Sequence, residues 1–390
     1  METVAPLAEI VNEIVEVGGE AFKVCYQCGM CDVVCPWNRV RNFSIRKIVR
    51  QAALGLPEIE LEDIWRCTTC GTCPSKCPRG VEQIEVGVAI RRIASSYGVF
   101  PGAVRGVNAA GASIITDGNP LGEEREQRDA WAEGLKVKPF TEGMELLYFV
   151  GCYYSYDPRM KKVARATVDL LQRAGVDFGI LGTRESCCGE SIRKAGNEDA
   201  FKTVARANIK AFVDAGVKRI LVASPHCYHT FVNEYPEFMV HFEVVHLSQL
   251  LAELIAAGRL ELGGEVDKTV TYHDPCYLGR HNGIYDAPRD VLRAVPGLEL
   301  VEMADTRENS LCCGGGGGRI WMDTPKEERF ANLRLAQAQA VGAEVLVTAC
   351  PYCISNFEES RLSLEDEDAL QVKDLTEVLL ESLLGSEVTR

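Results

Sequence analysis

The sequence predicts an α/β protein in which a small α-helical domain precedes two repeated α/β units. The first observation is an internal repeat, because the cysteine motifs of one half recur in the other at offsets of 124, 125 and 126 residues. The matched segments are Cys152 with Cys276, Cys187-Cys188-Gly189 with Cys312-Cys313-Gly314, and Pro225-His226-Cys227 with Pro351-Tyr352-Cys353. The second observation is that short apolar runs alternate with helical patterns, which favours parallel sheets. The cysteines then fall on loops after strands, where α/β sheets usually place their sites.

Residues 1–100 are predicted to form the helical domain. Apolar residues at helical spacing indicate a surface helix around Ile14, a helix around Ile48, and a closing helix from Ile84 to Tyr97. Residues 101–144 are dense in glycine and proline, so we expect a linker that wraps a domain surface and carries no chemistry.

The first repeat is predicted to span residues 145–262 and the second to span 263–390. Buried strands are expected at Leu146–Val150, Arg219–Val222, Thr269–Tyr272 and Val345–Val347. Long helices should begin at Asp157-Pro158-Arg159 and Ala287-Pro288-Arg289 and end at Gly216-Val217 and Gly342-Ala343. Each repeat should finish with a short strand and a helix, at Val244–Ala257 and Val372–Leu384.

Composition excludes several classes of protein. The 390 residues carry a formal net charge of -14, which argues against nucleic acid as the main partner because phosphate binding needs a cationic surface. Residues 1–20 contain five glutamates and no lysine or arginine, unlike a signal peptide, and no apolar run approaches the roughly 20 residues of a membrane span. We expect a cytoplasmic protein. Its 17 cysteines, odd in number and grouped in motifs, indicate thiolate ligation in a reducing, anaerobic setting.

Two cysteine runs near the N-terminus carry the most specific signal. Each run has the spacing Cys-x2-Cys-x2-Cys-x3-Cys-Pro, which is the bacterial two-cluster ferredoxin pattern written twice. In that pattern the fourth cysteine of each run crosses over to the other cluster. One 4Fe-4S cubane is therefore expected on Cys25, Cys28, Cys31 and Cys77, and the other on Cys67, Cys70, Cys73 and Cys35. A pair of zinc ribbons is the alternative, but it leaves two cysteines of each run unexplained.

Cationic residues lie between the two runs. They form either a solvated helix face or a surface that steers an acidic electron donor toward the clusters. These residues are Arg39, Arg41, Arg46, Lys47 and Arg50.

The second repeat contains five cysteines, one more than a tetrahedral zinc or an ordinary cubane requires. Vicinal cysteines can bind different irons of one cluster, and the glycines from Gly314 to Gly318 allow close backbone approach. A metal cluster is therefore expected on Cys276, Cys312, Cys313, Cys350 and Cys353.

The first repeat lacks the fifth thiol, because Ser224 stands where the second repeat has Cys350. Three alternatives remain open for its four cysteines: a cubane, a degenerate metal site, or structural thiols without metal. These cysteines are Cys152, Cys187, Cys188 and Cys227.

Histidines near the cysteines offer a proton source, because the pKa of imidazole lies near neutrality. Proton delivery is a hypothesis for His229, His273 and His281, and hydrogen bonding within a loop is its structural alternative. His241 and His246 are interpreted as structural.

The five-cysteine segments resemble the CCG domain of heterodisulfide reductases, in which such a set holds a noncubane 4Fe-4S cluster. The long insertion between the N-terminal runs resembles the helical ferredoxin module of the succinate dehydrogenase and heterodisulfide reductase families. The whole order, across roughly residues 20 to 385, resembles the HdrD-type heterodisulfide reductase subunit, a fusion of HdrC-like and HdrB-like proteins. Similar chains are the iron–sulfur subunits that accompany glycolate, lactate and glycerol-3-phosphate dehydrogenases. Others occur in membrane complexes of sulfite reduction and in class II benzoyl-CoA reductase complexes.

The resemblance implies an electron-transfer subunit of a multi-subunit oxidoreductase, which passes electrons between the two cubanes and the noncubane cluster of the second repeat. One alternative is a disulfide reductase in which the five-cysteine site is catalytic, and another is the iron–sulfur subunit of a glycolate- or lactate-type dehydrogenase. A zinc scaffold without redox activity is the remaining class. No Gly-x-Gly-x-x-Gly follows a predicted strand, so neither flavin nor NAD is expected in this chain. Electrons are then expected from a flavoprotein or iron–sulfur partner.

Overall fold

The computed structural model describes residues 5–362 and 370–388, which form two compact units. The N-terminal unit contains the described part of Met1–Gly111 together with Glu190–Lys202 and Gly314–Phe330. The repeat-containing unit contains Ala112–Gly189, Thr203–Cys313 and the described part of Ala331–Arg390. The segment that follows each vicinal cysteine pair therefore belongs to the N-terminal unit.

Short helices dominate the first part of the chain. They are α1 (Ala8–Glu16), α2 (Met30–Val34), α3 (Ile45–Leu54), α4 (Asp63–Arg66), α5 (Thr72–Ser75), α6 (Gln83–Ser96) and α7 (Arg105–Asp117). Helix α3 begins at Ser44, whose side chain accepts a hydrogen bond from the backbone N–H of Lys47, and it ends at Gly55 in the left-handed region. Helix α6 buries Ala89, Ile90 and Ile93 in the core of the N-terminal unit.

Helix α7 lies inside the segment that was predicted to be a linker. Its glycines do not break it, because they occupy positions where the backbone is closely packed. A Cβ added at Gly106 would lie 2.0 Å from the carbonyl oxygen of Trp321, and one at Gly111 would lie 3.3 Å from Ile192. The glycine density of this segment therefore reflects close packing as well as turns.

The two repeats have the same architecture of parallel strands and helices. The first contains β1 (Leu146–Phe149), α8 (Cys152–Tyr156), α9 (Pro158–Arg173), β2 (Phe178–Gly179), α10 (Glu190–Lys194), α11 (Glu198–Asp214), β3 (Arg219–Val222), α12 (Pro225–His229), β4 (Glu243–His246) and α13 (Leu247–Ala256). The second contains β5 (Lys268–Tyr272), α14 (Asp286–Arg293), β6 (Leu298–Val301), α15 (Phe330–Ala340), β7 (Val345–Thr348), α16 (Pro351–Arg361), β8 (Gln371–Asp374) and α17 (Leu375–Val388).

Strand orders are β2-β1-β3-β4 in the first repeat and β6-β5-β7-β8 in the second, with every pairing parallel. The predicted fold class, α/β with a helical N-terminal ferredoxin region and two repeated units, is confirmed. The central strands of each sheet, β1 with β3 and β5 with β7, are neighbours, so the loops at their carboxyl ends meet. Those loops carry the single cysteines and the Cys350–Cys353 pair, whereas the vicinal pairs lie on the loops after the edge strands β2 and β6.

Local chemistry explains where the elements begin. The Asp157 side chain accepts hydrogen bonds from the backbone N–H groups of Arg159 and Met160, which starts α9 as predicted.

The edge strands β2 and β6 were missed, because β2 has two residues and β6 is only partly buried. Among the described residues, no helix is long and apolar enough to cross a bilayer.

Candidate metal centres

The N-terminal unit contains two cavities lined by cysteines. The first is lined by Cys25, Cys28, Cys31 and Cys77. The second is lined by Cys35, Cys67, Cys70 and Cys73. Each cavity thus combines three cysteines of one run with one cysteine of the other run, which is the arrangement that the crossed-over motif predicts. That clusters occupy these cavities stays a prediction.

The two cysteine loops have the same backbone conformation. Gln27 and Thr69, at matching positions, have φ angles of 65° and 51°, and the following glycines, Gly29 and Gly71, have φ angles of 86° and 80°. Left-handed residues at these points turn the chain so that successive cysteines face one cavity. The repeated spacing therefore encodes a repeated loop.

The two cavities differ in exposure. Around the first, Cys28 is exposed and Tyr26 is 59% exposed. Around the second, Cys70 is buried and Thr68 is only 3% exposed. The first cysteine set is therefore the more exposed of the two, although Cys31 in it is buried and Cys35, Cys67 and Cys73 in the second set are partly exposed.

The glycine run after Cys313 covers the second cysteine loop. A Cβ at Gly316 would lie 2.4 Å from the carbonyl oxygen of Thr68, and one at Gly317 would lie 2.4 Å from that of Cys67. Side chains at these positions would clash with backbone, so glycine is required for this approach. The backbone therefore leads from Cys313 to the Cys67 loop within four residues.

Three of the cations between the cysteine runs have acidic partners. Arg46 pairs with Asp32 at 3.4 Å, Lys47 pairs with Glu58 at 2.8 Å, and Arg41 pairs with Glu328 at 3.1 Å. These contacts weaken the hypothesis that this stretch is a basic docking surface.

In the second repeat all five cysteines are buried, each at most 7% exposed. Cys276 lies beyond the end of β5, Cys312 and Cys313 lie on the loop after β6, and Cys350 and Cys353 lie at the start of α16. The Sγ atoms of Cys313 and Cys353 are 3.2 Å apart.

Hydrogen bonds join these loops. Ser310 Oγ donates to the carbonyl oxygen of Asp274 at 3.3 Å, and Asn356 Nδ2 donates to that of Cys313 at 3.0 Å. The Asp274 carboxylate is held by Arg289 at 2.7 and 2.9 Å, which braces the loop carrying Cys276.

The buried thiols of each repeat compete for protons. Burial raises the pKa of Cys350, but hydrogen bonds from Cys353 and His226 outweigh burial and bring it to about 5. In the first repeat, hydrogen bonds from Cys152 and Cys188 lower the pKa of Cys187 well below its usual value. Hydrogen bonding within each repeat thus favours the thiolate form of one buried cysteine, and the thiolate is the form that binds metal. This donor set fits a soft metal such as cluster iron.

The first repeat brings its four cysteines together, each at most 8% exposed. The Sγ atoms of Cys152 and Cys187 are 3.8 Å apart, and a Cβ at Gly151 would lie 3.5 Å from Cys227 Sγ. Ser224 is buried in an extended conformation at the start of α12, as Cys350 is at the start of α16. Ser224 therefore occupies the position that corresponds to Cys350.

The comparisons with known proteins agree with this arrangement. A family model described as the 4Fe-4S dicluster domain matches residues 21–81, and one described as the cysteine-rich domain matches residues 146–232 and 270–358. The HdrD polypeptide of the dihydromethanophenazine:CoB–CoM heterodisulfide reductase of Methanosarcina barkeri is 31% identical over 391 residues, covering 92% of this chain and 93% of that protein.

The chain belongs to the HdrD-like family of iron–sulfur proteins. Two longer relatives are similar to it as well. The probable iron-sulfur-binding oxidoreductase FadF of Bacillus subtilis is 38% identical over 84% of this chain, and the EtfAB:quinone oxidoreductase of Syntrophomonas wolfei is 37% identical over 83%. The chain spans about half the length of these two, since the matches cover 47% of each.

Several contacts of this HdrD-like site could not be predicted from the sequence. His226, in the first repeat, hydrogen-bonds Cys350 of the second, and its ring lies 4.3 Å from the rings of Tyr277 and Tyr352. A further stack joins Tyr277 to His281 at 4.5 Å and to His229 at 5.0 Å. The predicted histidines His229 and His281 therefore approach the second site through aromatic rings.

A buried ion pair beside Cys152 was also missed, because Arg128 lies in the segment predicted as a linker. Arg128 Nη2 lies 2.7 Å from Glu185 Oε1, and the Glu185 carboxylate also accepts from the backbone N–H groups of Val150 and Gly151. The pair thus anchors the loop that begins the first site. His246 caps α13 and is structural as predicted, whereas His241 is exposed.

Proposed function

We propose that this chain is the iron–sulfur electron-transfer subunit of a heterodisulfide reductase-like oxidoreductase complex. Two cubanes are assigned to the cysteines of the two N-terminal cavities and one noncubane 4Fe-4S cluster to the five cysteines of the second repeat. The observation that carries the proposal is that all five thiols of the second repeat are buried, with Cys353 hydrogen-bonded to both Cys313 and Cys350. When bound, such clusters exchange single electrons.

Electrons are proposed to enter beside the exposed cavity. Its surroundings present apolar side chains to solvent: Tyr26 is 59% exposed, Met30 is 44% exposed and Val33 is 80% exposed. Apolar patches of this kind mark protein contacts more often than ordinary surface. The partner is proposed to be a flavoprotein or another iron–sulfur subunit, because no flavin- or NAD-binding motif is expected in this chain.

The buried cavity is proposed as the inner station of the relay. Its Cys67 loop is covered by Gly316 and Gly317, which follow Cys313 in the chain. The Cys67 loop is thus contacted by the segment that follows the vicinal cysteines in the chain.

Burial favours a relay over disulfide reduction. A disulfide reductase must admit a substrate sulfur to iron, whereas the five cysteines of the second repeat are each at most 7% exposed. The first repeat has Ser224 in place of a fifth thiol, so it does not offer a second equivalent site for the other half of a disulfide.

Isolation of the native complex tests the proposal. Affinity-tagged chain, purified anaerobically from its host, is expected to bring down a flavoprotein or iron–sulfur subunit. Electron paramagnetic resonance (EPR) spectra of the complex should not change when a dithiol or a disulfide is added, because a relay does not bind them. The Cys313→Ala variant should retain the partner and lose turnover.

Two results would contradict the proposal. A cluster signal that changes on addition of a thiol or a disulfide would favour disulfide reduction at the five-cysteine site. A colourless chain that contains zinc would exclude electron transfer. Co-purification of a flavin enzyme that oxidises a 2-hydroxy acid would instead identify the glycolate- or lactate-type complex as the partner.

A further inference from the structure

His273 lies at the centre of the second repeat, immediately after β5. Its side chain is fully buried, and one ring nitrogen lies within 4.8 Å of the Sγ atoms of Cys313 and Cys353. The ring packs edge-on against Phe357, with 4.8 Å between centroids and 87° between planes. The imidazole is therefore held rigidly beside the proposed ligands.

Arg334 determines which ring nitrogen carries the proton. Its Nε donates a hydrogen bond to His273 Nδ1 at 3.1 Å. Burial lowers the pKa of Arg334 to about 10, so the guanidinium stays charged at neutral pH and can only donate. Nδ1 must then be the acceptor, which leaves the proton of a neutral ring on Nε2.

The ring is neutral while Nδ1 accepts this hydrogen bond, because the charged imidazolium form carries a proton on both nitrogens and cannot accept. Arg334 is itself fixed, because it donates to the carbonyl oxygen of Asp305 at 2.6 Å and to Gln337 Oε1 at 2.7 Å. An imidazole held in this way is a poor source of an acid proton, which weakens the proton-delivery hypothesis for His273.

Nε2 is left as a buried donor. Among residues 5–362 and 370–388 it has no hydrogen-bond partner. A buried N–H without an acceptor costs ~1–3 kcal/mol, so natural proteins rarely leave one unsatisfied. Sulfur can accept this hydrogen, and the Sγ atoms of Cys313 and Cys353 lie within 4.8 Å of a nitrogen of this ring.

The first repeat provides an internal comparison. At the position 124 residues earlier, Phe149 packs against Phe231 with 4.8 Å between centroids and 84° between planes. A phenyl ring thus fulfils the same packing role, and the imidazole of the second repeat is not needed for packing alone. The second repeat has His273, Arg334 and Cys350 where the first repeat has Phe149, Asn208 and Ser224. The hydrogen bond between Arg334 and His273 therefore has no counterpart in the first repeat.

We propose that His273 is a positioning residue that donates its Nε2–H to a sulfur of the cluster in the second repeat, and that Arg334 fixes the required tautomer. This inference rests on the proposed function, because it needs a cluster at that site. A hydrogen bond to cluster sulfur stabilises the more negative, reduced form and raises the reduction potential.

Two substitutions separate the hydrogen bond from packing. His273→Phe copies the residue of the first repeat and removes the donor, whereas His273→Gln keeps an N–H. In anaerobically purified full-length chain, His273→Phe should leave the iron content unchanged and shift the equilibrium of the second-repeat cluster about tenfold toward the oxidised form, which corresponds to ~59 mV for one electron. His273→Gln should restore part of the shift, and the cubane potentials should not move.

Chain carrying 15N-labelled histidine gives an independent spectroscopic readout. Electron–nuclear double resonance should show a weakly coupled 15N at the reduced cluster that is absent from His273→Phe and changed in Arg334→Met, whereas any coupling from His226, which hydrogen-bonds Cys350, should persist in both variants. A strongly coupled 15N that is lost in His273→Phe would mean that His273 is an iron ligand, and 15N coupling that is the same in the wild type and His273→Phe would mean that His273 only packs; either result overturns the inference. An iron content near eight in the wild-type chain would refute the proposed function first, and the inference with it.

Discussion

Replacing Arg91 with methionine should destabilise the N-terminal unit and lower the potential of the inner cubane. Arg91 is 1% exposed and donates hydrogen bonds to four backbone carbonyls. The acceptors, at 2.8, 2.8, 3.0 and 2.8 Å, are the carbonyl oxygens of Ile64, Lys194, Gly317 and Cys67. One side chain thus ties α6 to the cysteine loop and to segments that follow both vicinal cysteine pairs.

The magnitudes follow from these contacts. Four hydrogen bonds from a charged donor stabilise the folded state by about 1.5 kcal/mol each, or ~6 kcal/mol together. Roughly half of this is offset because the variant no longer buries a guanidinium, so the expected loss of stability is ~3 kcal/mol. The guanidinium is one hydrogen bond from the backbone of Cys67, so it lies within roughly 8 Å of that residue's sulfur. At an effective dielectric constant of about 20, losing this charge costs the reduced cluster ~2 kcal/mol, or ~90 mV.

Arg92→Met is the matched control. Arg92 is the next residue of α6, but it is only partly buried and contacts the carbonyl oxygen of Val17 and the carboxylate of Glu198. We expect Arg92→Met to lower the free energy of unfolding by about 1 kcal/mol and to leave the reduction potential of the inner cubane unchanged. EPR-monitored redox titration and thermal unfolding of the wild type and both variants measure these effects. An unchanged cubane potential in Arg91→Met, or equal shifts in both variants, would refute the electrostatic reasoning.

Three other expectations concern the ligand sets and a buried histidine. Cys35→Ala should remove the same cubane signal as Cys73→Ala, and loss of the other cubane would show that the crossed pairing is wrong. Cys313→Ala should abolish turnover of the native complex, whereas Cys188→Ala should mainly lower the melting temperature; equal loss of turnover with both proteins folded would contradict this. Burial lowers the pKa of His246 to about 3, so the unfolded chain takes up a proton below about pH 6.5 that the folded chain does not. Stability should fall by ~1.4 kcal/mol per pH unit between about pH 6.5 and 3, and His246→Gln should lack this slope in denaturation experiments across pH.

The cysteine motifs and the repeat could be read from the sequence because their information is local. A ligand spacing such as Cys25-x2-Cys28 encodes one loop, and the offsets between the repeats expose the duplicated sheet. The short strand β2 could not be found, because two residues carry no periodicity. Helix α7 was missed because glycine signals turns and close packing alike, and only the neighbouring Trp321 distinguishes the two.

The residues that surround the sites were harder to predict. Arg91 and Gly317 are separated by 226 positions, and His226 reaches a cysteine of the other repeat, so neither leaves a pattern in its own segment. Arg334 resembles any helical arginine until the fold places it against His273. Sequence spacing therefore identified the candidate ligands, and tertiary structure was needed to find the side chains that hold and polarise them.

Iron content per chain tests the central claim most directly. Two cubanes and one noncubane cluster predict about twelve irons per anaerobically purified chain, falling to about eight in Cys313→Ala while the cubane signals persist. About eight irons in the wild type, unchanged by Cys313→Ala, would show that the second repeat holds no cluster and would contradict the account.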